Sequence, residues 1–148
     1  MIDKERIFTR LEILNEYLMI LKECSKEPLE KLKADKIFRG AVERYLQLAV
    51  ECVIDVGEIL ISNLNLRKPE DARDVIDILG EKGIIPDEFA YKFGPITGFR
   101  NILVHNYIRI DLDLVYKFLT EKLDDFNQFV KYVSQYLLKS KIHQGDAP

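Results

Sequence analysis

Residues 41–61, AVERYLQLAVECVIDVGEILI, decide the fold. In the wider window from about Lys31 to Asn63, seven apolar residues alternate spacings of four and three: Phe38, Val42, Tyr45, Ala49, Cys52, Val56 and Ile59. Side chains at those spacings lie above one another on a helix, so the window predicts one long α-helix. Ile37, Ala41, Leu46, Leu48, Val53 and Leu60 widen the stripe beyond a two-stranded seam. A face that broad needs neighbours on two sides, as in a bundle. Gly57 is its weak helical position, and the missing side chain gives room for a neighbouring helix to approach closely.

Working outward, Ile7, Leu11, Leu14, Leu18 and Leu21 predict an amphipathic helix from Asp3 to about Glu23, with Pro28 in the connection that follows. Beyond Asn63 the chain is turn-rich to Glu70. A short helix then fits Asp71 to about Glu81, with Gly83 just after its end. Pro86-Asp87-Glu88 reads as the opening of another helix, and Gly94-Pro95 as a break in it. A further helical segment runs from about Ile96 to His105, and Ile108 to Ile110 form a connection. Asp111 then caps a final long helix reaching about Lys139. Its positions Leu112, Tyr116, Leu119, Leu123, Phe126, Val130, Val133 and Leu137 keep the four-three alternation throughout. No strand-type alternation competes.

The reading is therefore all-α. It describes a bundle of two long amphipathic helices and several shorter ones, with a single domain over residues 1–140 and a flexible tail over 141–148. The long helices carry more apolar surface than short partners can cover, which predicts a two-fold homodimer.

Composition bounds the function. A chain of 148 residues with 47% hydrophobic and 32% charged residues can build its own core and is unlike a disordered one. No apolar run approaches the roughly 20 residues that span a bilayer, and the start, MIDKERIFTR, lacks a signal-peptide core. No membrane role and a cytoplasmic location follow as expectations. The net charge of −3 argues against a general nucleic-acid coat but is compatible with an enzyme that touches a few phosphates. One basic stretch, Lys131 to His143, has three lysines and no acid. It fits either an approach to RNA or the usual preference for cations near a helix C-terminus. Cys24 and Cys52 have no further ligand at a metal-binding interval, so buried free thiols and no metal site are expected.

The chemistry concentrates in Arg100-Asn101-Ile102-Leu103-Val104-His105-Asn106-Tyr107, spaced R-x4-H-x-Y. On a helix turning about 100° per residue, Asn101 and His105 share a face, Arg100 adjoins it, and Tyr107 returns to within about 20° of Arg100. This grouping suits attack of an RNA 2′-hydroxyl on its adjacent phosphate. His105 can act as acid or base near neutral pH. Arg100 can grip two phosphate oxygens and stabilise the charge of the transition state. Asn101 can orient the imidazole or bind substrate, and Tyr107 can hydrogen-bond phosphate or stack on a base. One monomer supplies a single well-placed imidazole, His143 being in the tail, so a two-fold dimer bringing two motifs together would complete the site. The same residues also fit a helix end, with His105 and Arg109 as C-terminal cations, Asn106 as a left-handed cap and Tyr107 as a packing residue.

Two separated blocks, residues 41–61 and GFRNILVHNYIRID at residues 98–111, resemble the HepT family of HEPN-domain proteins. The resemblance covers roughly residues 1–138. It implies an all-α HEPN-type homodimer with the motifs of both subunits in a shared cleft. It implies a toxin that cuts RNA without a metal ion or other cofactor, paired with a minimal nucleotidyltransferase antitoxin of the MntA type. Arg100 and His105 would be catalytic, with Asn101 supporting them. Tyr107 would accept AMP groups from the partner, whose phosphates would repel RNA.

Glu43, Gln47, Glu51 and Asp55 form an i, i+4 stripe. It reads as a solvated helix face, or as a source of a carboxylate that holds Arg100 across the cleft. Tyr17, Tyr45, Tyr91, Tyr116, Tyr132 and Tyr136 read as packing residues. Two other functions compete: a non-catalytic module binding a nucleotide or a nucleotidyltransferase, and a purely structural dimerisation bundle.

Overall fold

Asp35 divides the predicted second helix in two. In the computed structural model, which describes residues 1–99 and 111–146 with side chains to residue 140, α2 spans Leu29–Ala34 and α3 spans Lys36–Asn63. Asp35 between them is extended (φ −98°, ψ 102°), and its carboxylate accepts the N–H groups of Ile37 and Phe38. Those donors have no partner inside a helix, so an aspartate at this point starts a new one. Arg39 reaches back to the last turn of α2, donating from Nε to the Leu32 carbonyl at 3.0 Å and from Nη2 to that of Lys33. The single helix expected from Lys31 is therefore corrected to a short helix, a capped corner and a long one.

α1, Lys4–Cys24, packs along α3. Asp3 caps it by accepting the Arg6 N–H, while its own N–H donates to Asn63 Oδ1 at 2.7 Å. The start of α1 is thus tied to the end of α3, and the pair is antiparallel. Ile7, Leu11, Leu14, Leu18 and Leu21 are all buried, as their spacing predicts. α3 is the centre of the bundle, burying Val42, Leu46, Ala49, Val50, Val53, Val56 and Leu60 completely. Phe38 and Tyr45 at its edge are half-buried, and the Tyr45 ring lies 5.7 Å from that of Tyr17.

α4, Ala72–Glu81, crosses α3 at Gly57. A methyl group there would stand 2.4 Å from Val75 Cγ1, so the close approach requires glycine. Asp71 caps α4 through the Asp74 N–H. Its other end closes at Gly83, whose φ of +71° is a left-handed value glycine adopts freely. There the Ile84 and Gly83 N–H groups bond the carbonyls of Leu79 and Gly80. α5, Asp87–Phe93, begins directly after Pro86. The chain turns at Gly94-Pro95, as the sequence predicts, and is helical again over 96–99.

α6, Leu112–Glu121, and α7, Leu123–Asp146, replace the single final helix of the sequence reading. The break falls at Lys122 (φ −109°, ψ −5°), whose N–H still bonds the Phe118 carbonyl. The chain thus bends without losing its helical register. α7 continues beyond Lys139 to Asp146. Its first turn holds a buried acid, Asp125, paired with Lys92 of α5 at 3.2 Å. Rings from α5, α6, α7 and the 96–99 turn share one cluster, with Phe93 stacked at 5.4 Å on Phe129 and edge-on to Phe126. Of the tyrosines read as packing residues, Tyr91 is 80% exposed. No helix among the described residues is long and apolar enough to cross a membrane.

Candidate active site

Arg100, Asn101, His105 and Tyr107 lie outside the described residues, as do Asn106 and Arg109. The structure does fix both edges of the segment that carries them. On the leading edge, Thr97 is buried, and its hydroxyl and N–H both donate to the Gly94 carbonyl, at 3.0 and 3.2 Å. Ile96 and Phe99 are buried beside it, and the Phe99 ring lies nearly parallel to that of Phe118, 4.2 Å away at 7°. One peptide bond beyond Phe99 comes Arg100. On the trailing edge, Asp111 accepts the Leu114 N–H at 3.2 Å and caps α6, as the sequence predicts. α6 is in turn held by the Tyr116 hydroxyl, which donates to the Glu27 carbonyl at 2.8 Å, and by a Lys33–Asp113 ion pair at 3.4 Å. The leading flank of the motif is thus buried in the core, and the trailing flank is an exposed cap on a helix that packs against it.

The polar stripe on α3 is not a fully solvated face. Asp55 is exposed, but Glu43, Gln47 and Glu51 are half-buried. Gln47 donates from Nε2 to Glu51 Oε1 at 3.1 Å. Glu43 Oε1 is buried with no hydrogen-bond partner among the described residues. Desolvation by burial pushes the Glu43 carboxyl above the usual carboxylate range, and the charge of Arg39 partly opposes this. Burial to this degree was not legible from an i, i+4 pattern of polar residues.

The thiols behave as expected. Cys52 is buried and Cys24 half-buried, both free. Burial, reinforced by the negative charge of Asp55, pushes Cys52 up to about 11, and burial likewise raises Cys24. Among the described residues, no group of three or more His, Cys, Asp or Glu could hold a metal ion.

Sequence reading also missed two arginines. Arg10 on α1 has its Nε buried without a hydrogen-bond partner among the described residues. Arg73 on α4 lies against Gly94, at the turn that leads to the motif. An arginine among the acids of α4 gives no sign of that direction.

An all-α bundle built on one central helix, with an R-x4-H-x-Y sequence between Phe99 and Asp111, defines a class that comparison resolves further. The chain belongs to the HepT-like family, described as "Ribonuclease HepT-like", whose model matches residues 14–133 and so includes the motif. It is 30% identical over 132 residues to the tRNA nuclease HepT of Aphanizomenon flos-aquae, covering 89% of this chain and 90% of that one. The mRNA nuclease HepT of Shewanella oneidensis is 28% identical over 103 residues, 70% of this chain and 77% of the relative. Among solved structures, the cytosolic protein YutE of Bacillus subtilis superposes with a TM-score of 0.82 at 22% identity, covering 94% of this chain and 93% of that one. The tri-AMPylated HEPN toxin of Shewanella oneidensis, solved in complex with MNT antitoxin, gives 0.80 at 23% identity, covering 87% and 96%. These two likenesses establish the HEPN fold for this chain.

Proposed function

We propose that this chain is an endoribonuclease toxin that cuts RNA by attack of a 2′-hydroxyl on the adjacent phosphate. Arg100 and His105 carry the reaction, at a cleft shared by two copies of the chain. The observation that carries this reading is the R-x4-H-x-Y segment itself, which lies inside a ribonuclease family match. The tRNA and mRNA nucleases named HepT among its relatives support RNA as substrate. The reaction needs a group to take the proton of the 2′-hydroxyl, another to give one to the departing 5′-oxygen, and positive charge at the phosphate. Imidazole serves either proton step near neutral pH, and guanidinium serves the phosphate without a metal ion. Two copies of His105 would let one act as base and the other as acid, which makes catalysis depend on the homodimer. Asn101 supports the imidazole or the substrate.

The partner in this reading is a minimal nucleotidyltransferase antitoxin, and Tyr107 is the acceptor of AMP. Support comes from the Shewanella toxin, which is tri-AMPylated and in complex with MNT antitoxin. AMP at Tyr107, two residues from His105, would set negative phosphates beside the cleft and repel RNA.

The test is RNA cleavage in excess EDTA by unmodified wild type and His105→Ala, with product ends analysed and intact mass measured. Cleavage by wild type alone, leaving 2′,3′-cyclic phosphate or 3′-phosphate ends, is the expected result. Equal cleavage by the variant refutes the role of His105. Absence of cleavage by wild type, with tight calorimetric binding of ATP or AMP, replaces the nuclease with a nucleotide-binding module.

A further inference from the structure

The side chain of Arg73 lies against Gly94, at the Gly94-Pro95 turn. A methyl group built on Gly94 would stand 2.5 Å from its Nε, 2.9 Å from Cζ and 3.1 Å from Cδ. The absence of a side chain at Gly94 is what admits the guanidinium there. Arg73 makes no hydrogen bond or ion pair among the described residues. The nearest carboxylates in sequence are otherwise engaged. Asp74 holds Arg67 at 2.7 Å, and Asp71 accepts the Asp74 N–H at 2.8 Å to cap α4. Asp77, one turn along, forms no ion pair with it.

Together with Asp71, Ala72, Pro95, Thr97 and Gly98, Arg73 lines a cavity of 460 Å³. The Thr97 hydroxyl is committed to the Gly94 carbonyl, so among the described side chains lining the cavity the uncommitted donors are those of Arg73, beside the Asp71 carboxylate that caps α4. A methyl group on Gly98 meets no atom of the described residues within 4 Å. Gly98 precedes Arg100 by two residues, so their Cα atoms lie within about 7 Å of each other whatever the chain does between them. The cavity is therefore an immediate neighbour of the segment assigned to catalysis. A guanidinium with no partner among the described residues offers donors in a planar fork that matches two phosphate oxygens and does not lose its charge.

We infer that Arg73 binds an RNA backbone phosphate flanking the one that reacts, in the cavity walled by Pro95, Thr97 and Gly98. This deepens the ribonuclease reading and rests on it. Arg73 positions substrate and takes no part in proton transfer. Gly94 sets the place of its guanidinium.

The test is binding of a single-stranded RNA oligonucleotide at a series of salt concentrations, in the His105→Ala background so that the RNA stays intact. Each phosphate contact in a single strand contributes about 0.7 to the slope of log K against log salt. Arg73→Gln is expected to reduce the slope by about 0.7, which is about a fivefold loss of affinity at 0.1 M salt relative to 1 M. Arg73→Lys keeps the charge and should recover most of the slope. Gly94→Ala keeps the arginine but moves the end of its flexible side chain, and should weaken binding with little change in unfolding temperature. Arg73→Gln with wild-type slope and affinity overturns the inference. So does a variant that lowers the unfolding temperature alone, or one that weakens only binding to the antitoxin. If the His105→Ala background binds no RNA at any salt, the ribonuclease reading fails with it; loss confined to Arg73→Gln cannot be mistaken for that result.

Discussion

Phe99 provides the sharpest test of how the fold holds the motif. It is 5% exposed, and its ring stacks on Phe118 at 4.2 Å, directly before Arg100. The perturbation is Phe99→Leu, which keeps an apolar side chain and removes the ring. Truncation to alanine costs about 3–5 kcal/mol for a buried Phe and about 2–5 for Leu, so the ring itself accounts for up to about 1 kcal/mol by difference. Loss of the ring pair adds about 0.5–1.5 kcal/mol. The variant should therefore lose about 1–2 kcal/mol, a large part of the roughly 5–15 kcal/mol that holds a domain folded. Phe118→Leu breaks the same ring pair, so the double variant should lose less than the two single losses combined, by about 0.5–1.5 kcal/mol. Urea unfolding of the four proteins at one protein concentration measures this, and a 2 kcal/mol loss lowers the midpoint by about 1 M at a typical m-value of about 2 kcal/mol/M. Additivity within about 0.3 kcal/mol would refute the stacking argument. If the stack also positions Arg100, Phe99→Leu lowers kcat/KM for RNA at a temperature where it remains folded.

Two further outcomes are expected. Gly57→Ala introduces a methyl 2.4 Å from Val75 Cγ1. Overpacking of this kind costs about 1–3 kcal/mol, offset by about 1 kcal/mol of better helix propensity, so a net loss of up to about 2 kcal/mol is expected. Adding Val75→Ala makes room for the methyl, and thermal unfolding should then show Gly57→Ala as neutral or stabilising in that background; no change in sign would put α4 elsewhere. Arg67 bonds both Asp74 and Glu81, and these hydrogen bonds hold both carboxyls below their usual range. A carboxyl depressed in the folded state adds stability above its unfolded value, and that stability disappears as pH falls through the folded value. The acid limb of unfolding midpoint against pH, below about pH 4, should therefore be flatter in Arg67→Gln than in wild type. Identical limbs would show that solvent screens these exposed pairs completely.

The helices were legible where hydrophobic period alone decides them, and their breaks were not. At Lys122 the chain bends with neither glycine nor proline and without changing register, so Leu119, Leu123 and Phe126 keep the spacing of one continuous helix. A period that survives the bend cannot report it. Asp35 did carry a signal, since aspartate before an apolar run is a helix start. What concealed it was the continuity of Leu32, Ile37 and Phe38 on either side, together with a clamp from Arg39 that reaches seven residues back. Gly57 was legible for the opposite reason, because one missing side chain in a broad apolar stripe has a direct steric meaning.

The site divides along the same physical line. Residue types at fixed spacing suggest the chemistry proposed for Arg100 to Tyr107, because acid, base and phosphate-binding groups are defined by their own side chains. The direction taken by Arg73 is set by the fold. By local rules it should pair with Asp77 one turn along its helix, yet the bundle brings the Gly94-Pro95 turn beside it and leaves its charge unspent among the described residues. Glycine at position 94 was read only as a helix breaker. Its second effect, admitting a guanidinium to the approach to the motif, depends on α4 and the 94–95 turn meeting in space. Glu43 follows the same rule: spacing gives its face on α3, but only the assembled bundle decides that one of its oxygens is removed from water.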